Sequence, residues 1–226
     1  MVVVLPILAK NAVRITKKPI ATLSLITLTL YLSLQGFQDT HELIRRAFCP
    51  ATFRNEPATI LLYAFYHTGT GPLVVNLVCL WVFGKSLEET TSHWFFVFTA
   101  LTSSVLYLLA FSLIKKDPFL GVVGLSGIVS GVMGAAYATC RRTSVVTLTF
   151  VFVLPLIVEM SLTWLVYYLL AAKAAVIVLN HLHPDLPSAV LKAVSWFGLP
   201  IASSVPFLWG CLVGTLYSAV DKYVVR

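Results

Sequence analysis

Gly121-Val-Val-Gly124-Leu-Ser126-Gly127-Ile-Val-Ser130-Gly131-Val-Met-Gly134 sets five glycines and two serines among otherwise apolar residues. In water this composition defeats a helix, because each interior glycine costs about 1 kcal/mol relative to alanine. In a bilayer it is useful. Helices there gain no hydrophobic advantage from meeting, and small residues three and four apart let their backbones approach and pack. Gly127, Gly131 and Gly134 fall on one such face, with Ser126 at the helix entrance on its crowded side.

The rest of the chain supplies that bilayer. Of 226 residues 58% are hydrophobic and 11% charged, with a mean hydropathy of +0.90, too little polar surface to cover a soluble globule. The apolar residues come in long runs and not in alternation, which argues against a β-barrel and predicts an all-α polytopic membrane protein, a six-transmembrane-helix bundle. We expect a basic N-terminal segment, 1–18, and a single helical membrane domain, 19–226, with no room for a soluble domain at either end. Sixteen basic residues against nine acidic fit loops beside anionic lipid; no basic run is long enough, or interleaved with aromatics, to predict nucleic-acid binding. Cys49, Cys79, Cys140 and Cys211 are scattered singly, so neither a disulfide framework nor a metal site is expected, and no cofactor.

Six spans follow in order. Lys10, Arg14, Lys17 and Lys18 precede the first, and no acid occurs before Asp39. That pattern suits a positive-inside anchor and also a mitochondrial targeting segment. It points to the mitochondrial inner membrane or an ER/Golgi membrane, tilting toward the first. Helix 1 is Pro19 to Phe37, followed by a polar loop to Pro57. Thr68-Gly69-Thr70-Gly71-Pro72 breaks the next apolar run, predicting a re-entrant or interfacial segment before helix 2, which starts near Pro72 and carries Asn76. Lys85 to Thr91 is expected as a loop and Ser92 to Ile114 as helix 3. Helix 4 is the glycine stretch running on to Cys140. Ser144 to Val158 alternates in part and reads as an interfacial connection. Helix 5 runs from about Met160 to Leu179 and helix 6 from about Ile201 to Val220, with a possibly amphipathic stretch, Lys192 to Pro200, between them. Both termini then share a side, the one with more lysine and arginine.

Several positions together resemble the rhomboid superfamily of intramembrane serine proteases. His67, Asn76, Gly84 and Glu88 match its helix 2 and exit; Gly121, Gly124, Ser126, Gly127 and Gly134 its helix 4; and Gly210, Gly214 and Asp221 its helix 6. The resemblance covers roughly 58–222. It implies that Ser126 stands at the nucleophile position and His67 and Asn76 at oxyanion positions. The family's base is a histidine in helix 6, in the pattern His-x-x-Gly-x-x-x-Gly; here that position holds Phe207. The family's second helix 2 histidine falls on Pro72, and its first-loop Trp-Arg pair on Ala58-Thr59.

A serine hydroxyl is a poor nucleophile without a base within about 3 Å to take its proton. The scaffold positions are kept and the chemical ones lost. The expectation is therefore a rhomboid-like pseudoprotease with no functional catalytic residue, in which Ser126, Gly124, Gly127, Gly131, Gly210 and Gly214 serve helix packing. Such a protein would scaffold, as a subunit of a large multisubunit membrane complex or as a binder of transmembrane clients. The alternative is an active intramembrane serine endopeptidase whose base comes from elsewhere: His181 or His183 in a proline-bearing loop, or Lys173 as a Ser-Lys dyad. A small transporter or channel is disfavoured, since Glu159 and Lys173 are the only candidates for an intramembrane charge pair.

Overall fold

The structure, a computed structural model, describes residues 2–10, 18–114, 117–140, 143–151, 154–182 and 204–224. Lys115-Lys116, Arg141-Arg142, His183 and the 192–200 stretch lie outside these, as do the side chains of Lys173 and His181. In chain order the elements are β1 (Val2–Lys10), α1 (Ile20–Gln38), α2 (Thr40–Arg46), α3 (Thr59–Leu62) with a 3-10 turn (Tyr63–Phe65), α4 (Thr70–Cys79), a π-turn (Leu80–Gly84), α5 (Lys85–Thr90), α6 (His93–Ile114), α7 (Ser126–Thr139), β2 (Ser144–Val151), β3 (Leu154–Ser161), α8 (Leu162–Leu182) and α9 (Ser204–Val224).

The glycine-rich helix is central. Every residue of α7 from Gly127 to Ala136 is buried, the pattern of a helix packed on all sides. Its 14 residues rise only about 21 Å, less than a hydrocarbon core of about 30 Å. Three helices among the described residues are long and apolar enough to cross a membrane: Ile20–Gln38, Thr70–Thr90 and His93–Ile114. Leu162–Ala171 in α8 and Ser204–Val220 in α9 are shorter apolar stretches.

Four expectations are corrected. The chain is mostly helical but not all-α: β1, β2 and β3 form an antiparallel sheet in that order. Val2–Lys10, inside the basic N-terminal segment, pairs with 144–151, which was expected as an interfacial connection. Both are rich in β-branched residues, which sit well on a pleated surface once a partner strand exists. The register shifts between Pro6 and Leu8, where proline has no N–H to give the ladder. Second, the polar loop after α1 contains α2. Asp39 caps it, accepting from the His41 and Glu42 amides at 2.8 and 3.2 Å, and Arg46 donates to Glu42 one turn earlier. Third, helix 2 does not end at Gly84 but runs through the π-turn to Thr90. Gly84 is there for close approach: a Cβ would lie 3.0 Å from Thr22 Cγ2 and 3.1 Å from Phe96 Cε2. Fourth, α7 starts at Ser126, so the first five residues of the quoted stretch lie outside it.

The continuation of helix 2 brings Glu88 to the start of α1. The carboxylate, fully buried, accepts from the Ala21 amide at 2.8 Å, the Thr22 amide at 2.7 Å and the Thr22 hydroxyl at 2.6 Å, and it also pairs with His93 Nδ1. A negative side chain thus satisfies first-turn donors of a helix whose preceding residue, Pro19, offers no side-chain cap.

Candidate functional site

Residues 121–125 lead into α7 and are tied on both sides. Phe48 and Val122 exchange N–H···O bonds of 3.0 and 2.9 Å, and the Gly124 amide donates to the Tyr63 carbonyl at 2.9 Å. Gly124 has φ +118°, a region that side-chain-bearing residues rarely enter. Its expected part in helix packing is therefore corrected: it makes the turn that delivers Leu125 and Ser126 to the helix start.

His67 supports that turn from below. It is 2% exposed and lies between the 3-10 turn and α4. The Ser33 hydroxyl donates to the Phe65 carbonyl at 2.8 Å, so toward His67 Nδ1, 3.0 Å away, it must accept. The proton then sits on Nδ1 and the Nε2 lone pair is free to accept. It takes bonds from the Asn76 amide at 3.1 Å and the Leu125 N–H at 3.4 Å. Burial pushes the His67 pKa down to about 4, against a smaller opposing pull from the Phe65 carbonyl. The ring is neutral at pH 7.

Ser126 faces α6. Its hydrogen-bonding neighbour is the Tyr107 phenol, whose ring crosses the space over Gly127; a Cβ on Gly127 would approach Tyr107 Cβ to 2.5 Å. Tyr107 stacks on Tyr63 at 6.2 Å with ring planes 1° apart, and Tyr63 donates to the Ser104 carbonyl at 3.0 Å. Among the described residues no histidine or lysine hydrogen-bonds the Ser126 side chain. A phenol, with an ordinary pKa of about 10, is no proton acceptor at neutral pH, and the Nε2 lone pair of His67 is already engaged.

The other wall is α9, which runs parallel to α7 through glycines. A Cβ on Gly134 would overlap the Phe207 carbonyl oxygen, one on Gly210 the Gly131 carbonyl, and one on Gly214 would come within 2.8 Å of the Ala135 carbonyl. Gly131 packs against both α9 and Ser103 of α6. Gly131, Gly210 and Gly214 line the α7–α9 contact, whereas Gly127 packs on α6. Phe207 is half-buried and joins the core beside α7. The Trp209 indole donates to Thr102 Oγ1 at 2.9 Å, fixing the rotation of α9 against α6. Pro72 is the third residue of α4, and the Thr59 hydroxyl donates to the Glu56 carbonyl at 2.8 Å.

A family model of the rhomboid domain matches residues 54–222. The chain belongs to the rhomboid family. No curated protein matches it. The rhomboid match runs from before α3 to near the end of α9, so the Ser126 entrance, the His67–Asn76 pair and the α7–α9 contact stand in a rhomboid membrane domain. Sequence reasoning missed Ser33 and Tyr107. Each is an ordinary polar residue inside an apolar span, and only its distant partner marks it.

Proposed function

We propose that this rhomboid-family chain is a membrane scaffold without proteolytic activity, working as a subunit of a larger membrane complex or as a binder of transmembrane clients. The observation that carries the reading is the phenyl group of Phe207 at the position on α9 where a rhomboid protease needs a proton acceptor for Ser126. Removing a base from such a pair leaves a hydroxyl with negligible nucleophilicity. The loss of the helix 2 histidine at Pro72 removes a donor for the oxyanion as well, and such donors typically supply about 3 kcal/mol of barrier lowering. His67 and Asn76, bonded to each other, brace the entrance of α7 in place of chemistry.

Six spans with a re-entrant turn at 59–67 and both termini on one side go with this reading. The membrane is the mitochondrial inner membrane or that of the ER/Golgi, and the acid-free stretch 1–18 supports the first. The test is incubation of the purified protein in liposomes with a panel of transmembrane substrates and a fluorophosphonate probe. We expect no cleavage and no labelling. Labelling at Ser126 that vanishes in Ser126→Ala would establish a working nucleophile and overturn the proposal. Purification from native membrane in mild detergent then identifies what the scaffold holds.

A further inference from the structure

Adjacent basic residues occur at four places in the chain: Lys17-Lys18, Arg45-Arg46, Lys115-Lys116 and Arg141-Arg142. All suit the ends of spans, but only the last is followed within two residues by a hydroxyl, in Arg141-Arg142-Thr143-Ser144. Guanidinium groups just before a serine or threonine are what an acidic kinase groove grips, because carboxylates hold each as a two-pronged fork. The structure separates the two hydroxyls. Thr143 is 4% exposed, with its amide donating to the Cys140 carbonyl at 3.0 Å and its carbonyl accepting from the Leu162 amide at 2.9 Å. Ser144 is half-buried, and its hydroxyl donates to the carboxylate of Glu159, an exposed residue, at 2.7 Å. Ser144 is also the first residue of β2, at the end of the sheet where Lys10 and Ser161 are its partners in register. End pairs open more readily than the middle of a ladder.

We propose that Ser144 is a phosphorylation site, and that the phosphate loosens the root of α8. In the transfer Ser144 Oγ attacks the γ-phosphorus of ATP, its proton passes to the catalytic carboxylate of the kinase, and ADP leaves. The product carries a charge of about −2 and has no donor to offer Glu159, so a hydrogen bond becomes the repulsion of like charges across paired strands. That repulsion falls where α8 is anchored. Leu162, its first residue, bonds to Thr143, the Trp164 amide donates to the Ser161 hydroxyl at 3.3 Å, and the helix packs against α7, β2 and β3. The six-span arrangement proposed above puts this end on the side richer in lysine and arginine, which faces cytosol or matrix and hence ATP. The proposal rests on that arrangement for the supply of ATP alone.

The full chain in nanodiscs, incubated with Mg·ATP and the catalytic subunit of cyclic-AMP-dependent protein kinase, tests it. Nanodiscs leave both faces open, so a failure there is a failure of the site and not of the six-span arrangement. We expect phosphate on Ser144 by fragmentation mass spectrometry, none on Thr143, and transfer about tenfold slower in Arg142→Ala, the scale of one charged contact. Amide exchange over 158–162 should quicken about tenfold in the phosphorylated chain. It should stay at the parent rate when the Glu159→Gln variant is phosphorylated, because the neutral amide can donate to the phosphate. No incorporation, phosphate on other residues with Ser144 untouched, or exchange that quickens equally in Glu159→Gln or not at all would each overturn the proposal.

Discussion

Replacing Glu88 with alanine tests the junction that holds the helix 2 exit against the start of α1. In the native protein the carboxylate receives two backbone amides, from Ala21 and Thr22, and the Thr22 hydroxyl. The hydroxyl can turn to its own backbone once the carboxylate is gone. The two amides cannot, since first-turn donors have no partner within their helix. Each buried unsatisfied donor costs about 1–3 kcal/mol, so the loss is about 2–6 kcal/mol; with Ala21 only half-buried we place it near 3. For a chain of this length that lowers the melting temperature by about 6–12 °C. Cys140 is a built-in reporter, 3% exposed, with its sulfur 3.3 Å from the Ser86 carbonyl and 3.5 Å from Thr90 Oγ1 on the helix that carries Glu88. Heating in detergent with a fluorogenic maleimide should show the lowered transition. Glu88→Gln, which keeps the shape and one oxygen but turns an N–H₂ toward a donor, should fall between the two. A Glu88→Ala melting curve within about 1 °C of the parent, with Cys140 equally protected, would refute the reasoning that this carboxylate caps α1.

Three further outcomes follow from the same geometry. Gly134→Val, whose Cβ would overlap the Phe207 carbonyl, should abolish the folded state or cost several kcal/mol, whereas Gly69→Ala, with only Pro72 Cδ at 4.0 Å, should melt within a degree or two of the parent, about 0.5 kcal/mol. Phe207→His should not restore hydrolysis of a transmembrane substrate, because Pro72, Ala58 and Thr59 still stand where the supporting groups belong; measurable turnover in that single variant would show that the rest of the machinery is intact. The folded pKa of His67, about 4, lies below its ordinary 6.5. The unfolded chain thus binds the extra proton first, and the stability present above pH 6.5 is lost as pH falls toward 4, about 2 kcal/mol of it by pH 5. Melting temperature against pH should show this slope in the parent and lose it in His67→Asn; parallel curves would mean that His67 is not a buried neutral acceptor.

By itself the sequence determined the properties that short windows of residues carry. Runs of twenty apolar residues specify a membrane chain wherever they pack, and the positions of α1, α6 and α7 follow to within a few residues from composition and glycine spacing. That Phe207, and no histidine, stands in the Gly210–Gly214 helix is likewise legible at single positions. The tertiary structure decided whatever depends on segments far apart in the chain. Glu88 meets Thr22 across 66 residues and His67 meets Ser33 across 34, and nothing near either partner announces the other. The alternation at Ser144–Val151 became a strand and not an interfacial connection because Val2–Lys10 lies alongside it; backbone donors and acceptors of a strand are satisfied only by another segment, so its state is not a local property.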